Sequence, residues 1–358
     1  MRPTDAAASQ PVKTPSFPTV PDVDRLAGSL ADLAVRTSVE GPWRSGAFAA
    51  LAQSGLLAAF IPAEQGGTAA TEPALVAALV AIAEQCLTTA LALTQWAAAV
   101  RIIAGGSADV RQELLPPLAR GDTLTTVGIS QLTTSRRHLG RPALAATRTG
   151  DAWRLDGVCP GVTGADSTQT IVTGAATDDG GQAFFVVPTD APGLAIDPPL
   201  EMLGLTGSRT SAVHFTAVKP THILPPAATS GPRTGGLSTT ALAVGAARAS
   251  ARVLHQEAAS RPPLTVIAGD FTTEIAALES RLLAAACGGI DPGDRDRLRA
   301  DANGLVVRVA QAALTATKGA GFVRGHPVER LVRESLFFLV WSCPQAVTDA
   351  FLCDLTAG

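Results

Sequence analysis

One basic cluster, Arg136-Arg137-His138, follows directly on a hydroxyl-rich run, Ile129-Ser130-Gln131-Leu132-Thr133-Thr134-Ser135. A guanidinium meets phosphate with a two-pronged donor face, so this cluster could hold a phosphate group. The same residues also suit a solvated turn, and the sequence leaves the two readings open. Arg209 and Lys219 are further phosphate candidates by position. Nucleophilic chemistry would fall to Cys343, but a reactive thiol needs a nearby His, a positive charge or a helix N-terminus. None of His138, His214, His222, His255 and His326 is visibly paired with it, so a buried, inert thiol is expected. The five cysteines, Cys86, Cys159, Cys287, Cys343 and Cys353, are odd in number and far apart, with no Cys-x-x-Cys pair. That pattern argues against a zinc site or a disulfide framework.

The 358 residues are 46% hydrophobic and 16% charged, which is enough for two or three packed regions and too apolar for a disordered chain. The net charge of −3 gives no basic footprint for nucleic acid. Residues 1–21, rich in Pro, Ser, Thr and Ala, are expected to be a disordered leader. The apolar run from Ala74 to Ile82 is short and ends at Glu84-Gln85, so it is not read as a membrane span, and a cytoplasmic protein is expected.

The elements that must position these residues fall into three blocks. Helical spacing runs through Val23 to Val35, with Leu26, Leu30 and Leu33 on one face, and through Pro42 to Gln53. Two strongly apolar helices follow, Pro73 to Gln85 and Leu87 to Ala104. A Ser107-capped helix then runs from Ala108 to Leu115 and is expected to stop at Pro116-Pro117. Gln95 and Trp96 interrupt the apolar pattern, and Trp96 is read as a packed core residue. From Gly121 to Pro220 the chain breaks into β-like runs: Leu144 to Thr147, Trp153 to Leu155, Gln169 to Thr173, Ala183 to Val187, and Val213 to Thr216. Helices return at Leu237 to Ala258, Phe271 to Cys287, Arg295 to Thr317 and Val328 to Val340. Ala241, Gly245 and Ala249 recur every four residues, which leaves one side of the first of these bare enough for another helix to approach closely. The last is expected to bury Val328, Leu331, Val332, Ser335, Leu336, Leu339 and Val340 as one stripe.

The order of these marks resembles the acyl-CoA dehydrogenase superfamily, over about residues 30 to 350. Ile129 to Ser135 stands where that family has its loop against the flavin. Trp153-Arg154-Leu155-Asp156-Gly157 resembles the hairpin before the family's Trp-Ile-Thr turn, which reads Gly161-Val162-Thr163 here. Leu203 to Thr210 resembles the exit from the middle domain. Ile61-Pro62-Ala63-Glu64-Gln65-Gly66-Gly67 and Pro327 to Glu334 extend the resemblance outward. It implies an α+β fold with an N-terminal helical domain (22–121), a middle β-barrel domain (122–226) and a C-terminal four-helix bundle (227–358). It also implies FAD as cofactor, an acyl thioester (acyl-CoA or acyl-carrier protein) as substrate, and a homodimer or homotetramer. The cofactor contacts it implies are Ile129, Ser130, Gln131, Ser135, Arg136, Gly161, Val162 and Thr163, with the Ser130 and Thr163 hydroxyls at the flavin and Arg136 beside a pyrophosphate or CoA-type phosphates.

Several positions depart from the family. Its Trp on the flavin face is Gly161 here. The Arg-x-x-Phe-Gly segment reads Arg261-Pro262-Pro263-Leu264, and the Gln-x-x-Gly-Gly turn reads Thr315 to Gly319. The usual catalytic Glu is Ser342, and the alternative position for it, near Gly236 to Thr240, has no carboxylate. Glu257 lies turns away, and Glu329 and Glu334 match positions with structural roles. Three functions therefore stand: CH–CH oxidation of an acyl thioester with the usual base absent, a reduced-flavin-dependent monooxygenase on the same fold, or a non-catalytic binding or assembly relative.

Overall fold

The computed structural model describes residues 23–133, 142–150, 152–225, 236–288, 290–341, 347–349 and 352–353. The expected leader lies outside them. The N-terminal helices are α1 (Val23–Glu40), α2 (Ala47–Gln53), α3 (Leu56–Ala59), α4 (Glu72–Gln85), α5 (Leu87–Ala104) and α6 (Ala108–Arg120). Leu26 and Leu30 of α1 are buried, while Leu33 sits at the margin of the core. α4 and α5 are buried on most faces, as their unbroken apolar sequence requires. By length and composition α5 could cross a membrane, but 72% of it is enclosed by the rest of the chain, so it is a core helix. Trp96 is fully buried, edge-on to Phe60.

The helix expected to stop at Pro116-Pro117 does not stop there. α6 continues to Arg120, because Leu115, Leu118 and Ala119 are buried on its core side. Gly121 then closes it in the left-handed conformation, with the Gly121 and Asp122 amides donating to the Leu118 and Pro117 carbonyls. Ser107 caps its start, its hydroxyl accepting from the Val110 amide.

The middle of the chain carries β1 (Thr125–Gly128), the short helix α7 (Ser130–Thr133), β2 (Leu144–Thr149), β3 (Ala152–Thr163), β4 (Thr170–Thr177), β5 (Gln182–Pro188), β6 (Leu194–Ile196), β7 (Thr210–Val218) and β8 (His222–Leu224). They form one sheet in the order β6-β7-β3-β2-β4-β5-β8, with β1 added in parallel to β4. β2 and β3 pair as an antiparallel hairpin, with Thr149 opposite Ala152. β6 and β8 are the ends of the path, so the sheet is open among the described residues. Side chains alternate along β5. Phe185 and Val187 enter a core enclosed by the sheet itself, with Leu155, Val162, Val213 and Phe215. Val186 faces the opposite way, into the helical core.

The C-terminal helices are α8 (Ser238–Ala258), α9 (Leu264–Gly288), α10 (Pro292–Thr317) and α11 (Pro327–Ser335). α8 packs against α4, α9 and α10, so the helical blocks on either side of the sheet share one core. The expected stripe of the last helix is only partly realised. Beyond Ser335 the chain tightens to a 3-10 helix, Leu336–Leu339, which has about three residues per turn rather than 3.6. This rotates the side chains that follow: Phe338 is buried and Val340 is exposed, while Glu334 and Ser335 are buried at the end of α11 itself.

Candidate functional site

Strand β1 ends at Gly128, and Ile129 leads into α7. Ile129 packs at the margin of the helical core. The Ser130 hydroxyl lies 3.5 Å from the Gly161 carbonyl oxygen and 3.8 Å from Cys159 Sγ. Gln131 turns inward. Its amide nitrogen donates to the carbonyl oxygens of Gly174 (2.7 Å) and Gly128 (3.3 Å) and reaches Thr173 Oγ1 (3.3 Å). Its oxygen accepts from the Cys159 thiol at 2.9 Å. The Gln131 side chain thus ties the loop to β3 and β4 rather than to a ligand. Burial pushes the Cys159 thiol up to about 11, so it stays protonated and inert.

Strand β3 brings the second turn alongside. Gly161 is open: a Cβ there would have nothing closer than Ser130 Oγ and Thr210 Cγ2, each at 3.8 Å. Val162 is fully buried in the sheet core. Thr163 pairs with Thr210 of β7, and their hydroxyls lie 3.2 Å apart. Thr210 Oγ1 in turn lies 2.9 Å from Ser208 Oγ. The Thr126 hydroxyl donates to the Thr163 carbonyl at 2.7 Å and fixes the backbone there.

The turn that supplies Ser208 and Thr210 is held under strain. Leu205 and Arg209 have φ of 59° and 48°, left-handed values that cost a non-glycine residue roughly 1–2 kcal/mol each. Asp166 holds Arg209 in place: the guanidinium Nε lies 2.9 and 3.1 Å from its two carboxylate oxygens, and Nη2 also contacts the carboxylate. Arg44 reaches the same carboxylate at 3.3 Å. Burial pushes the Asp166 carboxyl up, but the Arg209 hydrogen bonds and charge outweigh it and leave the group below its ordinary range. Arg209 is therefore occupied, which corrects its reading as a phosphate candidate. On the other side α1 presses in, since a Cβ at Gly207 would lie 2.2 Å from the Thr37 carbonyl oxygen.

Ser130, Gly161 and Thr163 are thus brought together, while Gln131 and Val162 point into the core. Ser135, Arg136, Arg137, His138, Ser342 and Cys343 lie outside the described residues. Lys219 is exposed. Ser208, Thr210 and Asp166 were not singled out from the sequence. Ser208 and Thr210 lie within a run that was read only as a domain exit, and Asp166 gains meaning only from Arg209, distant in sequence.

The three C-terminal carboxylates weighed above, Glu257, Glu329 and Glu334, are engaged or enclosed. Glu257 pairs with Arg261, whose guanidinium also donates to the Ala316 carbonyl at 2.5 Å. Glu329 pairs with Arg333 at 2.6 Å, and that hydrogen bond leads the causes that lower its carboxyl. Arg333 also donates to the Leu203 carbonyl at 2.9 Å, tying the sheet exit to α11. Glu334 is enclosed, and burial pushes its carboxyl up to about 7. The first turn of α8 carries Ser238, Thr239 and Thr240 and no carboxylate.

The family "Acyl-CoA dehydrogenase, N-terminal domain" matches residues 26–122. The probable acyl-CoA dehydrogenase YngJ of Bacillus subtilis is 26% identical over 324 residues, covering 80% of this chain and 83% of that one. The glutaryl-coenzyme A dehydrogenase in its glutaryl-CoA complex superposes with a TM-score of 0.78 at 20% identity, covering 95% of this chain and 96% of that one. TdsC from Paenibacillus sp. A11-2, in its complex with FMN and indole, superposes with a TM-score of 0.75 at 18% identity, covering 94% and 96%.

Proposed function

Because this chain belongs to the acyl-CoA dehydrogenase superfamily, we propose that it is a flavin-dependent oxidoreductase that oxidises a CH–CH bond of an acyl thioester. The observation that carries this reading is the open face at Gly161, bordered by the Ser130 hydroxyl and by Thr210, which touches Thr163. A planar ring with acceptors on its edge fits there: the glycine leaves room for the ring and the hydroxyls offer donors. FAD, when bound, supplies the acceptor for the substrate's β-hydride. Ser130 and Thr163 orient the ring. Ile129 and the backbone of Gln131 and Val162 shape the turns around it, and Ser135 and Arg136 belong to the pyrophosphate side. The division of the chain near residues 121 and 226 is part of the same proposal, as are a cytoplasmic location and a homodimer or homotetramer. The exposed apolar side chains of Phe322 and Val323 support self-association.

The visible absorbance spectrum of the purified full chain tests this reading, followed by anaerobic titration with a panel of acyl-CoAs. A flavin spectrum that bleaches with an acyl-CoA is expected. A colourless protein that takes up no FAD on titration would overturn it.

A second reading is a reduced-flavin monooxygenase, favoured by one specific observation. Glu257 and Glu329 are ion-paired, Glu334 is enclosed, and the start of α8 lacks a carboxylate. Dehydrogenation needs a base for the α-proton, whereas oxygen activation at a reduced flavin does not. The likeness in fold to TdsC, solved with FMN, accords with it. Oxygen-dependent product formation with an added flavin reductase would select this reading, and loss of the anaerobic bleaching would accompany it.

A further inference from the structure

Thr163 Oγ1, Thr210 Oγ1 and Ser208 Oγ form a chain of three hydroxyls, with links of 3.2 and 2.9 Å. Three hydroxyls carry three protons and make two links, so one proton remains for use at one end of the chain. If the donors run from Thr163 towards Ser208, the spare proton sits on Ser208. Ser208 is 0% exposed, and its hydroxyl has no second partner among the described residues. A buried O–H with no acceptor is a larger penalty than a buried hydroxyl with an idle lone pair. If the donors run from Ser208 to Thr210 to Thr163, the spare proton is the Thr163 hydroxyl's own, on the side where Gly161 leaves an open face. The second direction is the one the burial favours.

On the flavin reading above, we infer that Ser208 and Thr210 are positioning residues which set the Thr163 hydroxyl as a hydrogen-bond donor to the flavin ring. The surroundings are built to hold them. Arg209, between the two, is kept in its left-handed conformation by Asp166. The Gly164 amide donates to the Arg209 carbonyl at 3.1 Å, locking β7 to the turn that carries Thr163. Thr210 also places its methyl 3.8 Å from the open position at Gly161, so it borders the ring as well as feeding Thr163. Neither Ser208 nor Thr210 need touch the reacting atoms: their effect passes through Thr163.

The test uses the full chain stripped of flavin and titrated with FAD, together with the midpoint potential of the bound flavin. Thr163→Val, Thr210→Val and Ser208→Ala are each expected to weaken FAD binding by about five- to tenfold, the loss of one neutral hydrogen bond. They should also shift the potential in the same direction. Thr210→Ser should restore both properties, because it keeps the hydroxyl. Ser211→Ala, on the neighbouring strand position and outside the chain of hydroxyls, should leave both unchanged. The double variant Thr163→Val with Thr210→Val should be no worse than Thr163→Val alone, since the two act as one unit. Circular dichroism melts on every variant separate a folding defect from a binding defect. If wild type binds FAD and Thr163→Val weakens it, but Thr210→Val and Ser208→Ala match wild type, the relay is wrong and the flavin site stands. If wild type takes up no FAD, both fall.

Discussion

A Cβ placed on Gly245 of α8 would lie 2.4 Å from the carbonyl oxygen of Val80 in α4 and 2.7 Å from Ala83 Cβ. The two helices cross at this glycine, flanked by Ala241 and Ala249, with the ion pairs from Arg248 and Arg252 to Glu84 nearby. The crossing joins the N-terminal helical block to the C-terminal one.

Gly245→Ala should therefore destabilise the protein, although alanine is the better helix former. Intrinsic propensity favours Ala by about 1 kcal/mol, while overpacking against a backbone atom costs about 1–3 kcal/mol or more. The clash wins because the Val80 carbonyl cannot rotate away as a side chain would. Gly269 of α9 is the control: nothing lies within 4 Å of a Cβ there, so Gly269→Ala should stabilise by roughly 0.5–1 kcal/mol. Thermal melts of the two variants should move in opposite directions.

Glu334 should make stability fall with rising pH. Its carboxyl is held protonated by burial, at about 7 against an ordinary 4.5, with Arg330 and Arg333 opposing the shift and Glu329 adding to it. Below pH 4.5 folded and unfolded chains both carry the proton, and this group's contribution is intact. Between 4.5 and about 7 only the folded chain keeps it, so stability drops by about 1.4 kcal/mol per pH unit, about 3 kcal/mol in all, and then levels. Urea titrations from pH 5 to pH 8 should show this fall in wild type, and Glu334→Gln should flatten it. Parallel curves for the two proteins would exclude the assignment.

The sequence was most informative where local pattern and packing agree. The β-like runs Trp153 to Leu155 and Ala183 to Val187 fall inside real strands, β3 and β5, and the small-residue repeat of α8 marks a real close crossing. It was least informative where a distant group decides. Leu115, Leu118 and Ala119 carry α6 through two prolines, because burial of that face outweighs the lost hydrogen bonds. The switch to 3-10 geometry after Ser335 buries Phe338 and leaves Val340 outward, a rotation that a 3.6-residue stripe cannot anticipate. At the site, Ser130 and Thr163 were legible as turn hydroxyls in a familiar order. The inward turn of Gln131 depends on β3 and β4, and the capture of Arg209 depends on Asp166.

Asp166→Ala should release Arg209 and loosen the strained turn. The pair is largely shielded and makes several charge-assisted hydrogen bonds, so its loss should cost about 1–3 kcal/mol of stability. FAD affinity should fall with it, because the turn carries Ser208 and Thr210. Arg209→Gly should lose the ion pair and yet recover part of the stability, since glycine takes the left-handed conformation without strain. Equal melting temperatures for Asp166→Ala and wild type would show that the clamp contributes nothing.

The last prediction concerns the base. On the resemblance, the family's usual Glu position is Ser342, and the two carboxylates of the helix before it that match family positions, Glu329 and Glu334, are respectively paired and enclosed. A serine hydroxyl without a partner does not remove an α-proton. A general base contributes about a hundred- to ten-thousand-fold in rate. Anaerobic reduction of the bound flavin by a saturated acyl-CoA should therefore be slow or undetectable in wild type. Ser342→Glu should raise the rate, by up to that factor if the acyl group reaches the ring. Pro344 follows closely and constrains the backbone, so Ser342→Asp, one methylene shorter, serves as a second geometry for the same carboxylate. An increase in either variant, absent in Ser342→Gln, would assign the missing function to a charge at this position. Rapid reduction by wild type would mean that a carboxylate elsewhere in the chain already serves as the base.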